Sequence, residues 1–375
     1  MVCPVPDFDV RVSHDSGAAA ALWARLPADH PYQRLDWASD WLATEGTDSA
    51  CIVSVVDRQN HRPWLLLPLV RHRVAGLRTL SWVGGHLTDY PVPLVGPDCP
   101  ESVLSEGFPT IWKAIRRALP TADLLLAPRQ LPTVAGRPNP LVQLRHTMSA
   151  VSAHHAHPGT DWDAFYRTHC SGRTRRRHNQ KLRQMARVGP VRFSVVTHPT
   201  QARAVLPTFF DMKARGYQRL GVANPLASPA ARAFLERQVV APGRPGHLSI
   251  LTVGDQIWAA HVGWVHDGTL YMQFPTYRQG ALSSASPGAA LIRHLLRHAV
   301  ETGLHTVDFT IGDDPHKNRW CDDHVPLVDV VEPLSMRGLA VTSGTRAWTR
   351  VKRHLKQCPT TYDALRTVRS TLAGG

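Results

Sequence analysis

The residues whose types and spacing could do chemistry are concentrated between Tyr277 and Trp320. From Tyr277 to Gly303 the sequence reads as a strand end, a loop of small residues and a helix start. Ser286 suits the position that caps a helix, and Pro287 suits its first turn. Gly280 and Gly288 allow a backbone or ligand to approach closely. Backbone N–H groups at such a helix start seat a phosphate or pyrophosphate, and Arg278, Gly280, Ser286, Pro287 and Gly288 are assigned to that binding role. Leu291, Ile292, Leu295, Leu296, Ala299 and Val300 then form an apolar face that docks the helix on a sheet. A plain capped helix after a turn would carry the same signals, so the loop alone establishes only an anion site.

The continuation adds reactive groups. In LHTVDFTIGDDPHKNRW, Val307 and Phe309 are apolar strand residues and Asp308 interrupts them. Gly312 breaks the chain, and Lys317 and Trp320 follow in a polar loop. An acid, a lysine and a tryptophan just beyond a strand end make a site in an α/β protein.

These residues need a scaffold. The chain has 375 residues, and at roughly 150 residues per domain this suggests two domains. Hydrophobic residues at 43% and charged residues at 19% exclude a disordered chain. Six cysteines with no CxxC spacing suggest neither a zinc cluster nor a disulfide framework. The start MVCPVPDFDV does not read as a signal peptide, and the run Trp64 to Val70 is too short to span a bilayer. The expectation is a cytoplasmic protein, soluble or peripheral on the inner membrane. A net charge of +14 favours an anionic partner: nucleic acid, anionic lipid or a phosphate-rich ligand such as coenzyme A.

Along the chain, the spacing predicts a helix at 37–44, strands at 50–56, 64–70 and 78–83, a helix at 101–119 and a strand at 122–127. The second half repeats the order. It has helices within 161–188 and at 200–219 and 228–239, strands at 248–253, 257–265 and 269–274, a helix at 287–302 and a strand at 305–309. Gly254-Asp255 and Asp267-Gly268 are turn signals between the strands. The arginines of SGRTRRRHNQKLRQMARVG suit a helix with one cationic and one apolar side. They form either a solvated face or a funnel for anionic groups. His154, His155 and His157 are read as a Pro/Gly-flanked loop rather than a metal site. The basic tail from Arg346 reads as a helix, docked on its own protein or lying on an anionic membrane.

The run Ser286-Pro287-Gly288, a helix, a glycine, Asp308-Phe309, Gly312 and Lys317-x-x-Trp320 resembles the GNAT-superfamily branch of CelD/BcsL-like acetyltransferases. So do PYQRLDWASDWL, LLLPLVRHR, the step Asp89-Tyr90-Pro91 and the basic run. His316 departs from the pattern, where an aromatic usually precedes the lysine. The resemblance implies an α/β (α+β) fold of two tandem GNAT-like domains, as in Fem-type ligases, each with a mixed, mostly antiparallel sheet flanked by helices. The expected division is residues 1–150, an acyl-CoA-binding domain at 151–345 and the tail at 346–375. The implied reaction is direct acyl transfer from an acyl-CoA, acetyl or longer, or from an acyl carrier protein, to an amine, with no metal.

Such a transfer needs a deprotonated nucleophile, a donor to the developing oxyanion and a held thioester. Asp308 and His261 are the first acid/base candidates, Asp89 could close over the same cleft, and Lys317 suits the oxyanion. Each has a structural alternative: a strand-end cap for Asp308, a core histidine for His261, a turn for Asp89, a solvated lysine for Lys317. Cys321 reads as a buried structural thiol. The expected acceptor is an amine of an envelope sugar, amino lipid or metabolite. Three alternatives stand beside it: long-chain acylation of a sphingoid base, an aminoacyl ligase fed by aminoacyl-tRNA, and a nucleic-acid-binding protein. The last is disfavoured because no aromatic residues interleave the arginines.

Overall fold

The computed structural model describes residues 6–45, 49–312 and 317–342. Its first half comprises β1 (Phe8–Ser13), α1 (Ser16–Trp23), α2 (Leu35–Glu45), β2 (Ala50–Asp57), β3 (Pro63–Val74), β4 (Leu77–Trp82), the short β5 (Leu94–Val95), α3 (Phe108–Ala118) and β6 (Leu124–Gln130). A small hairpin of β7 (Thr133–Val134) and β8 (Arg137–Pro138) leads to β9 (His146–Ala156). The second half comprises α4 (Trp162–His169), α5 (Gly172–Ala186), β10 (Val191–Val196), α6 (Pro199–Leu220), α7 (Pro229–Val240), β11 (Gly246–Val253), β12 (Gln256–His266), β13 (Thr269–Tyr277), α8 (Pro287–Glu301), β14 (Thr306–Ile311) and β15 (Asp323–Pro333). Apart from the short β5 and the added α4, α5 and β15, each half runs strand, two helices, three strands, helix, strand, and the repeat expected from element order is present.

The two halves share one sheet, ordered β1-β2-β3-β4-β6-β15-β9-β14-β13-β12-β11-β10. Two of its pairings are parallel, β4 with β6 and β13 with β14, one at the same place in each half. The second is held by only three register pairs, Thr269–Thr306, Leu270–Val307 and Tyr271–Asp308. Beyond Tyr271 and Asp308 the strands part, and the free edges of this splay are where a ligand can enter.

The halves also exchange their last strands. β15, from the end of the described chain, pairs with β6, while β9 pairs with β14. β9 and β15 then pair with each other along most of their length. Residue 150, where the sequence places a boundary, lies inside β9. The core follows the same logic. Trp37 on α2 packs edge-on against Phe234 of α7 and Trp264 of β12, at 4.8 and 5.1 Å between ring centres, and both Trp37 and Trp264 are fully buried. Across the same interface, buried Asp40 accepts from Arg244 Nε at 2.6 Å and Gln238 Nε2 at 2.8 Å.

In the second half, α4, α5 and α8 pack on one face of the sheet and α6 and α7 on the other, each face with its own apolar cluster. α8 buries Leu291, Leu295, Leu296 and Ala299, the stripe its 3.6-residue period predicts.

The sequence reading needs correction at His154, His155 and His157. They are not a loop: the first two lie on β9, in the middle of the sheet, and His157 follows directly. A strand whose residues alternate among Ser, His and Ala, and which is completed by partners more than a hundred residues away, gives little local signal. Among the described residues no cluster could hold a metal ion, and no helix is long and apolar enough to cross a membrane. The basic tail, Cys3 and His316 lie outside the described residues.

Candidate active site

Asp308 sits on β14 at the last parallel pair before the splay, with 3% of its surface exposed. A buried carboxylate needs donors, and it has them. Tyr90 Oη donates to Oδ1 at 2.9 Å, and the Thr310 amide donates to the same oxygen at 2.6 Å. His155 Nε2 lies 3.6 Å from Oδ2. Thr310 has φ 56°, a left-handed conformation costly for a β-branched residue. The Asp308–Thr310 hydrogen bond holds that turn, which breaks the β14–β9 register between Asp308 and Ile311.

The turn brings the second acid to the site. Asp89, from the first half, is buried beside Thr310. Burial raises its pKa to about 6, and the Asp308 charge pushes the same way; Arg129, the Thr310 side chain and Lys317 act against them. Arg129 is itself anchored by donating from Nε to the Asp89 carbonyl at 3.2 Å and from a terminal nitrogen to the Thr88 carbonyl at 2.7 Å. Lys317, 6% exposed, donates to the Ile311 carbonyl at 2.7 Å and more weakly to that of Thr310 at 3.4 Å. The ammonium group therefore stands where the chain leaves β14. Asp308 and Lys317 thus meet Asp89, from the other half of the chain, at the mouth of the splay.

The anion end lies on the opposite face. Ser286 occupies the capping position of α8, but with φ 57° and without a capping hydrogen bond from its own side chain. Its hydroxyl instead accepts from Lys181 Nζ of α5. Pro287 has no N–H, and the amides of the next residues in a first turn have no partner inside the helix. A Cβ on Gly288 would come within 2.9 Å of Tyr277 Cδ1, so glycine lets α8 start directly against the end of β13. Gln184 Nε2 donates to Ser284 Oγ at 2.8 Å, a second tie from α5 to this loop. One face of α5 carries Arg173, Arg176, Arg177, Arg183 and Arg187 around an open groove.

Further cations gather behind them. His178 is drawn down to about 4 by burial first, and then by Arg293, Arg319, Lys181 and Arg177. Its Nδ1 lies 2.7 Å from the Tyr166 hydroxyl, and its ring stacks on Trp320. Arg293 is 9% exposed within α8. Lys181 belongs to the basic run singled out from sequence, whereas Arg293 was missed; an arginine at i+7 from Ser286 on the otherwise apolar stripe was the available signal.

Of the residues proposed from sequence, Asp308, Asp89 and Lys317 meet at one place, and Ser286, Pro287 and Gly288 form the α8 start. Gly280 and Arg278 lie in the loop before it, where Arg278 Nε donates to the Ile257 carbonyl at 3.2 Å and the Gly280 amide to Ser283 Oγ at 2.9 Å. His261 does not join the carboxylates. It is fully buried on β12, its ring beside His247 at 5.6 Å and over Gly263, and burial, His247 and Lys213 hold it well below its ordinary pKa, as a neutral core residue. Cys321 is held as a thiol, its pKa pushed up to about 12 by burial.

The first half has the matching splay but a different lining. β4 and β6 part after Ser81 and Leu126, and a cavity of about 550 Å³ opens there, bordered by Trp41, Trp82, Leu87, Leu126 and Arg129. The helix that corresponds to α8 is entered through Glu101 and Glu106 rather than Ser-Pro-Gly, so its start does not suit an anion.

Comparison with known proteins agrees with this geometry. The sequence model for the acetyltransferase (GNAT) domain matches residues 172–318, from the start of α5 to just past Lys317. A search of curated proteins finds no significant match. Among solved structures, FemX is similar with a TM-score of 0.55 at 10% identity, over 86% of this chain and 96% of FemX. L-PGS from Bacillus licheniformis gives 0.53 at 12% identity, over 88% and 94%. The C-terminal domain of a protein described as a lysylphosphatidylglycerol synthetase from Agrobacterium fabrum gives 0.51 at 10% identity, over 89% and 96%. At these identities the likeness is one of fold. Residues 172–318 thus match the acetyltransferase (GNAT) domain, and the chain as a whole shares the fold of FemX and L-PGS.

Proposed function

We propose that the protein transfers an acyl group directly from acyl-CoA to an amine. The observation that carries this reading is Asp89: a buried carboxylate titrating near 6, beside Lys317, at the mouth of the β13–β14 splay. A carboxylate of that strength takes a proton from an ammonium acceptor, the freed amine attacks the thioester carbonyl, and the tetrahedral intermediate collapses by breaking the C–S bond, the CoA thiolate leaving with a proton. Lys317 stabilises the oxyanion that develops. Asp308 orients the Thr310 turn and Tyr90 rather than touching the reacting atoms. The donor's phosphates lie at the α8 start with Lys181 and the α5 arginines, and its arm crosses the splay to the acid face. The first-half cavity, bordered by Trp82 and Leu126, supports an acceptor with an apolar body such as an amino lipid or sphingoid base.

A second reading is favoured by one observation. The five arginines on α5 exceed what one coenzyme needs, and with fold neighbours such as FemX and a lysylphosphatidylglycerol synthetase they suit an aminoacyl-tRNA donor. Under either reading the protein works on the cytoplasmic side, peripheral to the membrane where the acceptor is a lipid.

Mass spectrometry of small molecules retained by the purified protein, with melting curves in acetyl-CoA, palmitoyl-CoA and aminoacyl-tRNA, separates the readings. Stabilisation by an acyl-CoA, with release of free CoA on adding an amine, is the expected result. Stabilisation by aminoacyl-tRNA alone selects the ligase.

A further inference from the structure

Where the last turns of α6 meet the end of β13, a pocket of about 210 Å³ is lined by Lys213, Tyr217, Arg219, Thr276 and Tyr277. The Lys213 ammonium donates to the Pro275 carbonyl at 3.1 Å and lies over the rings of Tyr217 and Phe274, at 4.9 and 5.6 Å. No described carboxylate lies within ion-pair distance of it, and burial alone draws its pKa down to about 8. The Arg219 guanidinium stands over Tyr277 at 6.0 Å. The pocket thus holds two cations, three hydroxyl-bearing side chains and no acid. Lys213 is half-buried and Arg219 exposed; a partly desolvated ammonium with no counter-charge, and a second cation beside it, suit an oxyanion.

Its place in the fold says which substrate carries that anion. The pocket opens beside α6, whose buried residues pack on the face away from α8, and its Tyr277 wall also borders Gly288 at the α8 start. Tyr217, part of its wall, is close enough to Asp89 for that charge to raise its hydroxyl pKa.

We propose that this pocket holds a carboxylate or phosphate of the acceptor, gripped by Lys213 and Arg219 beside the amine that Asp89 deprotonates. This rests on the acyl-transfer reading for the word acceptor, but the anion site itself does not. The test compares full-length wild type, Lys213→Met and Lys213→Arg. Methionine keeps the apolar stem, so the variant retains the packing of α6.

Melting curves are titrated with inorganic phosphate and, separately, with acetate. The wild type and Lys213→Arg should gain about 2 °C or more over Lys213→Met with at least one of the two anions. Any increment common to all three proteins belongs to arginines elsewhere, and the anion that produces the difference distinguishes phosphate from carboxylate. In turnover with acetyl-CoA, wild type should prefer β-alanine or 3-aminopropyl phosphate over propylamine at least tenfold in kcat/KM. Lys213→Met should lose that preference with its donor KM unchanged. Equal anion responses in wild type and Lys213→Met overturn the proposal. An anion response confined to proteins with a cation at 213, with no acyl-CoA stabilisation in any of them, would instead remove the acyl-transfer reading and keep the site.

Discussion

Replacing Asp89 by asparagine should make the protein more stable and much less active. The buried carboxylate titrates at about 6 instead of 3.8. Its folded form therefore holds a proton more tightly than its unfolded form, so stability falls as pH rises from about 4 and levels off above about 6. The full penalty on the alkaline side corresponds to ~3 kcal/mol. Asparagine keeps the shape and an acceptor for the Thr310 side chain but cannot ionise. Denaturant unfolding at pH 8 should show Asp89→Asn more stable by up to ~3 kcal/mol; the same comparison at pH 5 should give roughly half, and at pH 4 well under ~1 kcal/mol. Turnover should fall by about 10²–10⁴. In the wild type, kcat/KM should rise with pH through an apparent pKa near 6, because the ionised form is the base. A variant no more stable at pH 8 than the parent, or one whose advantage does not shrink with acid, would refute the assignment of a strained, ionised Asp89.

Three further outcomes follow from the same geometry. Lys317→Ala should lose about 10²–10³ in kcat while acyl-CoA still raises the melting temperature, and Asp308→Asn should also lose most turnover while remaining folded by circular dichroism; full activity in both would move the chemistry elsewhere. His155 is lowered by burial, but Asp308 and Asp323 more than reverse this and leave its pKa raised. Its contribution to stability is thus complete below the unfolded value near 6.5 and is lost as pH rises through the folded value; NMR titration should place that step at lower pH in Asp323→Asn. Arg244→Met strands the Asp40 carboxylate between α2 and α7 with Gln238 and Arg237 only, and should cost ~2–4 kcal/mol by denaturant unfolding, part of it recovered in Arg244→Met with Asp40→Asn.

How much of this was legible in the sequence depended on whether the cause was local. The hairpins joining β11, β12 and β13 announce themselves through Gly254-Asp255 and Asp267-Gly268, and α8 through Pro287 and its apolar stripe. β9 and β15 did not. The first mixes serine and histidine, the second carries Pro326, and both are strands because each completes the other half's sheet. The site divides in the same way. Ser286 was legible as a helix start, but the turning of its hydroxyl toward Lys181 depends on α5 packing against the loop. Asp308 and Lys317 stood out by type and spacing. Asp89 was visible only as an acid before Tyr90-Pro91, since its altered acidity comes from burial under the second half. Lys213 looked like any basic residue on an amphipathic helix.

The exchanged strands carry a last consequence. Cutting the chain within 157–161 leaves the second half with β14 but without β9, and the first half with β6 but without β15. Each fragment then exposes an unpaired edge in what was the middle of a sheet, a form prone to association. The shared Trp37–Phe234–Trp264 core would be split as well. Neither fragment should fold alone to a cooperative melting transition. Asp89 and Tyr90 come from one fragment and Asp308, Thr310 and Lys317 from the other, so activity should appear only when the two are expressed together, with the fragments eluting as a single 1:1 species. A second-half fragment that melts cooperatively and turns over substrate alone would show that the first half is dispensable, and with it the role of Asp89. The strand exchange thus ties folding to catalysis: the acid that strains the fold reaches the site only when both halves have completed each other's sheet.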